Sequence, residues 1–321
     1  MKFESLICPQ CGGGLPRQAL WRTVHCPFCD ALVTKCEEMV RAEDFRQAYL
    51  RAHALDKLDP LRGPTLQCRG QRYQILQHLA SGNRAEVYLA QRCGPQAMRV
   101  VLKIARSNSP PDCLKREAAV LQQLQAINTP AASYFSTRLP QLVAQGRTEF
   151  EGRNTETLIL RHPAGYWGSL AQVHENYPQG LDARHIVWMW RRSLEMLAFL
   201  HAAGWCHGQL SSEHLLVNPS NHGILLLGWS AAQANSSSAQ VRDLQQLAWA
   251  MRQLLSPASL TPPTLPHQLP SALGKILLAA SEDDAWCAQH GALGLDQAVK
   301  MAAREAFGAP RFIHFYPVPR T

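Results

Sequence analysis

Two cysteine pairs, Cys8-Pro9-Gln10-Cys11 and Cys26-Pro27-Phe28-Cys29, stand 14 residues apart in this 321-residue chain. Four thiolates at that spacing can surround one tetrahedral Zn²⁺. Four sulfur ligands leave no open position for substrate, so a structural ion is expected in preference to a redox pair or a catalytic metal. Gly12-Gly13-Gly14 frees the backbone to bend after the first pair, and Trp21, Val24 and Phe28 are candidates for a small apolar patch beside the metal. So small a unit has little core, and the ion is expected to supply much of its folding energy. Elsewhere His201, His207 and His214 are of a type that binds metals or moves protons, and Cys206 is either a nucleophile or a buried apolar residue.

The rest of the composition sets bounds. The chain carries a formal net charge of +8 and a pI near 9.1, and its length allows a small module plus one large domain. Lys and Arg are spread along the sequence and not interleaved with aromatics, so the charge alone does not indicate a nucleic-acid partner. Apolar runs such as Ile224 to Leu227 are too short to cross a bilayer, and a Cys-Pro knuckle arrives before any signal-like apolar stretch. The expectation is a cytoplasmic protein whose cysteines serve metal rather than disulfides.

The elements that must position these residues can be read in order. After a zinc ribbon over 1–35, residues Cys36 to Lys57 have helical spacing at Phe45, Tyr49 and Ala52, and the turn-rich Asp59 to Pro64 closes a linker over 36–70. Tyr73 to Leu79, Glu86 to Ala90 and Arg99 to Ile104 predict short strands, Pro111 to Ile127 a helix, and Thr157 to Leu160 another strand. A long helix is expected over Arg184 to Ala203, with Ile186, Trp190, Leu194 and Leu197 on one face. The Pro-rich stretch from Ser256 to Pro270 interrupts the helical part, and Arg311 to Thr321 reads as an irregular tail. Strands first and helices afterwards predict an α+β fold with two lobes, about 71–161 and 162–321.

Leu79-Ala80-Ser81-Gly82-Asn83-Arg84-Ala85-Glu86-Val87-Tyr88-Leu89-Ala90 resembles the Gly-rich loop of protein kinases, with only Gly82 of its glycines kept. Val100-Val101-Leu102-Lys103 follows where that family carries its strand lysine, and Glu117 opens a helix where it carries the glutamate partner. His207-Gly208-Gln209-Leu210-Ser211-Ser212-Glu213-His214 resembles the catalytic loop, Gly228-Trp229-Ser230 the metal-binding segment, and Asp243 the buried aspartate opening the central helix of the large lobe. The resemblance, covering about Gln71 to Leu255, implies a bilobal protein-kinase-like fold behind the ribbon. It also implies that His207 is packed in the core and that Leu121, His207 and Trp229 form a spine anchored on Asp243.

The same resemblance shows what is missing. Phosphoryl transfer in that family uses an aspartate base, an asparagine and an aspartate on magnesium, and a lysine on the phosphates. Here Gln209, His214 and Gly228 stand at the first three positions, and no Ala-Pro-Glu anchor follows Gly228 in the 14 residues before Asp243. The resulting expectation is a bacterial-type pseudokinase, a signalling scaffold that docks a protein partner, with Tyr166-Trp167 a candidate contact. Gly82, Asn83, Arg84, Lys103 and Glu117 are the residues expected to hold ATP or another nucleotide, without magnesium. Val101, in place of a smaller residue, crowds the adenine slot formed by Val87 and Leu216. Two alternatives belong to other classes. One is an active phosphoryl- or nucleotidyl-transferase that recruits Glu213 or His214 as ligand or base, and the other a zinc-ribbon adaptor for nucleic acid.

Overall fold

The computed structural model describes Cys8, 24–26, Phe28, 32–33, 63–94, 98–129 and 132–319. Cys11, Cys29, Trp21, the glycine run and the expected spacer helix lie outside those residues. In the head, β1 (Val24–His25) pairs antiparallel with β2 (Leu32–Val33), so Cys26 and Phe28 sit on the connection of a hairpin. Cys8, Cys26 and Phe28 are buried. The rest of the described chain forms two compact units, 63–164 with 227–232, and 165–226 with 233–319; the head belongs with the second.

Among the described residues the first unit is built on one antiparallel sheet of six strands: β3 (Thr65–Cys68), β4 (Gln71–Ser81), β5 (Ala85–Arg92), β6 (Met98–Ala105), β7 (Leu142–Phe150) and β8 (Arg153–Arg161), in the order β3-β4-β5-β6-β8-β7. Its helices are α1 (Cys113–Gln125) and the short α2 (Ala132–Phe135). The strict alternation of β6 buries Val100, Leu102 and Ile104 in a core with Leu66, Tyr73, Ile75 and Ile159, and turns Val101 and Lys103 to the other face. β3 falls inside the span expected to be linker, so the sheet starts earlier than the sequence indicated; its four residues are too few to show a period. β7 is also an addition to the expected strands, and Gln145, Gly146, Arg147 and Thr148 within it show no apolar alternation that would announce it.

The first turn of α1 has no side-chain cap of its own, since Asp112 is left-handed at φ 58. Glu156 of β8 supplies the acceptor instead, taking the N–H of Leu114 at 3.1 Å, so a carboxylate from the sheet meets the positive end of the helix.

The second unit contains β9 (Gly168–Ser169), α3 (Leu170–Asn176), α4 (Ala183–Ala202), β10 (Trp205–Cys206), β11 (Leu215–Asn218), β12 (Gly223–Leu226), β13 (Gln233–Ala234), α5 (Ser237–Leu255), α6 (Ser271–Glu282) and α7 (Asp284–Phe307). Side chains start four of these helices: Ser169 and Gln172 form a capping box on α3, Asp182 accepts from Arg184 on α4, Ser236 from Ala239 on α5, and Asp283 from Trp286 on α7. α5 begins at Ser237, so Asp243 lies within the helix rather than opening it. None of the described helices is long and apolar enough to cross a membrane.

Gly180 brings the chain between α3 and α4 against the end of α5. Its φ is +90°, and a Cβ there would lie 2.3 Å from the Leu255 carbonyl oxygen, next to the bond from Leu181 N–H to Leu254 O at 2.8 Å. Gly180→Ala is therefore expected to cost about 2 kcal/mol or more, from backbone strain and a clash with an immovable carbonyl. An unchanged urea midpoint for this variant would refute that account.

Candidate functional site

In the first unit Lys103 points away from the sheet core and toward α1, where its Nζ donates to both carboxylate oxygens of Glu117, at 2.8 and 2.6 Å. Glu117 is 1% exposed and Lys103 17%. Breaking such a pair from one side leaves a buried charge, at a cost of about 3–5 kcal/mol. α1 also packs on the turn that carries Trp229, and Leu121 and Trp229 are both fully buried there.

The β4–β5 turn holds the other residues expected to meet a nucleotide. Gly82 N–H donates to Ala85 O at 2.9 Å, Arg106 donates to Gly82 O at 3.1 Å, and Ser109 Oγ donates to the carbonyl of Arg84. Asn83 is exposed. The Arg84 side chain is engaged within the same unit, donating to Ser230 Oγ at 3.0 Å, two residues beyond Gly228. Behind the turn, Ser81 and His78 both donate to Glu86, and these bonds, that of Ser81 first, hold its carboxyl below the usual range. Val101 and Val87 are partly exposed.

In the second unit Asp243 is the hub of the loop that follows α4. Its Oδ2 accepts the backbone N–H of His207 at 2.8 Å and His201 Nε2 at 3.1 Å, and its Oδ1 accepts the N–H of Gly208 at 2.8 Å. Gly208 takes φ +80°, which suits a residue without a Cβ. Gln246, one turn further along α5, accepts from Leu210 N–H at 2.7 Å, so one helix fixes both ends of the segment 207–210. His201, Cys206 and Asp243 lie close enough to suggest a metal cluster. They do not fit one: the carboxylate is committed to backbone donors, and burial, then the nearby Asp243 charge, pushes the Cys206 thiol up to about 11.

Further along the loop, His214 Nδ1 lies 2.7 Å from the carbonyl oxygen of Gln209. A carbonyl only accepts, so Nδ1 carries the proton and the neutral ring has its lone pair on Nε2. Gln209 and Glu213 are exposed. Gly228, where a magnesium-binding aspartate would stand, has no side chain, and His214 offers nitrogen where an amide oxygen is expected; the two positions do not fit Mg²⁺.

Sequence reasoning missed a ring cluster in this unit. His222 is fully buried at the β11–β12 turn, its Nε2 2.9 Å from His185 Nδ1, with Trp188, Phe312 and Phe315 around it. These residues come from three distant stretches and share no period, so no local signal announced them.

A six-stranded sheet with a lysine–glutamate pair, and a helical unit whose loop hangs on a buried aspartate, define a kinase-like protein. The profile of the lipopolysaccharide kinase (Kdo/WaaP) family matches residues 105–261. Among solved structures, the Mycobacterium tuberculosis PknI kinase domain superposes with a TM-score of 0.52 at 17% identity, covering 72% of this chain and 96% of that one. The PF14_0431 kinase domain gives a TM-score of 0.46 at 16% identity, over 61% and 67% of the two chains. No curated protein matches.

The family match corrects the expectation of a catalytically impaired scaffold, because the family it names is one of kinases. Three lost carboxylate or amide positions do not exhaust the chemistry of the loop, which still presents Glu213 and an oriented His214.

Proposed function

We propose that this chain is an ATP-dependent phosphotransferase with a rearranged kinase-type site, acting on a hydroxyl of a saccharide-containing acceptor. The acceptor class follows from the name of the lipopolysaccharide kinase family that matches residues 105–261. The observation that carries the reading is the buried, bidentate Lys103–Glu117 pair, the arrangement that positions nucleotide phosphates in kinases. Gly82 and Asn83 contribute the turn over the phosphates, and Arg84 adds charge on exchanging Ser230 for phosphate oxygen. The acceptor proton is assigned, by the resemblance of residues 207–214 to the kinase catalytic loop, to His214 or Glu213 of that loop. As that proton leaves, the acceptor oxygen bonds to the γ-phosphorus, the bond from phosphorus to the β,γ-bridging oxygen breaks, and ADP departs with the electron pair. No step is assigned to magnesium. Zn²⁺ is assigned separately to Cys8, Cys11, Cys26 and Cys29 as a structural ion, supported by the cysteine spacing and the burial of Cys8 and Cys26.

The test is transfer of labelled γ-phosphate from ATP to lipopolysaccharide by the purified chain, with Mg²⁺ or Mn²⁺ supplied. Lys103→Met should lower the rate at least about a hundredfold, the scale on which phosphate-clamping groups act. No transfer by the wild type, or equal transfer by the variant, would reject the proposal.

A further inference from the structure

The second cysteine knuckle does not end in solvent. Phe28, between Cys26 and Cys29 in sequence, is 2% exposed and lies against α4. The guanidinium carbon of Arg192 stands 3.2 Å from the centre of its ring, Arg191 Nη1 donates to its carbonyl oxygen at 3.0 Å, and the Trp188 ring is 4.9 Å away, tilted by 50°. Trp188, Arg191 and Arg192 share one face of α4, at the i, i+3, i+4 spacing. Asp296 of α7 accepts from Arg191 Nε and Nη2 at 2.8 and 3.1 Å, and on α4 itself Glu195 accepts from Arg192 Nη1 at 3.4 Å.

Two adjacent arginines at 6% and 4% exposure are unusual on a helix and require counterparts. Phe28 supplies two: a π-face for Arg192 and a carbonyl for Arg191. The pair β1–β2, with two residues in each strand, is too short to hold that presentation by itself, since an isolated hairpin is marginal in water. Metal–thiolate bonds flanking Phe28 in sequence would hold it.

We infer that the α4–α7 face is a docking surface for the chain's own zinc knuckle, and that Phe28 is the plug whose seating depends on the metal. The inference rests on the zinc assignment above and adds a coupling to it. Zinc that shapes the knuckle favours docking, and docking must tighten zinc by the same factor, because linkage is reciprocal. Loss of the metal would then unseat Phe28 and uncover a surface of one tryptophan and two arginines, which anionic or aromatic groups could recognise.

The experiment uses the full-length chain. Zinc content and competition with a chromogenic chelator report the metal, and deuterium uptake over 183–202 reports the seat. One zinc per chain is expected, with uptake around Trp188 to Arg192 rising on chelation. Phe28→Ala should still bind one zinc, about tenfold or more weakly given the loss of a buried ring and its cation–π contact, and should show raised uptake even when loaded. Arg192→Gln, which alters the seat and leaves the head untouched, should weaken zinc in the same direction. A wild type that holds no zinc removes the metal assignment and the coupling with it. Zinc-loaded Phe28→Ala with wild-type uptake and affinity overturns the docking alone and leaves the metal assignment standing.

Discussion

Replacing Asp243 by alanine is expected to destabilise the chain by about 4 kcal/mol, the cost of stranding buried donors to a charged acceptor. Asp243 is fully buried and gathers the N–H groups of His207 and Gly208 together with His201 Nε2. The His207 amide is fully buried and that of Gly208 part-buried, so once the carboxylate is gone the loop must open or admit water to satisfy them. Asp243→Asn keeps the shape and one acceptor oxygen but turns the other position into a donor facing a donor, and should fall between wild type and alanine. Urea unfolding of the three proteins checks this. If Asp243→Ala moved the midpoint by less than Gly180→Ala does, the hub account of the loop would be wrong.

Acid should unfold this protein through His222, and the sign follows from where the proton is held more weakly. Burial, then the neighbouring His185, Arg192 and His314, pushes the His222 pKa down to about 3. Its Nδ1 is buried without a hydrogen-bond partner, and its Nε2 meets His185, whose own pKa is lowered chiefly by burial. An unfolded histidine titrates near about 6.5, so the unfolded chain binds the proton more tightly than the folded one. The neutral ring therefore contributes its full stabilisation above about pH 6.5 and loses it as pH falls toward about 3, on the order of 5 kcal/mol in all. Measured between about pH 7 and about pH 4, the unfolding free energy should drop with a slope of about one proton beyond the carboxylate background. His222→Asn tolerates the left-handed φ of 53° at this turn and should remove that slope. A slope identical in wild type and variant would sink the assignment.

What the sequence made legible, and what it hid, divides along physical lines. Lys103 could be placed because its strand alternates cleanly and the pair lies in an expected order of landmarks; Glu117 lies where the helix pattern puts it, although its near-complete burial could not be foreseen. The role of Asp243 was indicated by the resemblance to the kinase pattern, whereas the extra turns of α5 ahead of it were not, because Ser236, Ser237 and Ser238 are small and polar and only the structure shows Ser236 capping the helix. Arg84 illustrates a limit of another kind: its type and position suit a phosphate, but nothing local reveals that Ser230, 146 residues away, already accepts from it. Arg191 and Arg192 pass for surface charge in the sequence, because their partners Phe28 and Asp296 are more than a hundred residues distant. The scaffold expectation was overturned by the family match: it judged the site by the acidic and amide groups that were missing, and no local pattern weighed against it.

The anchoring of α1 constrains how this chain can be controlled. The helix is fastened at its first turn by Glu156 and in its middle by Glu117, and both attachments run to adjacent strands of one sheet, β8 and β6. Rotating the helix outward would have to rupture both bonds together and leave charged groups stranded in the interior, so disengaging Lys103 by a swinging helix is a costly switch. A chain in which Lys103 is clamped in this way has to take its instructions through its other parts.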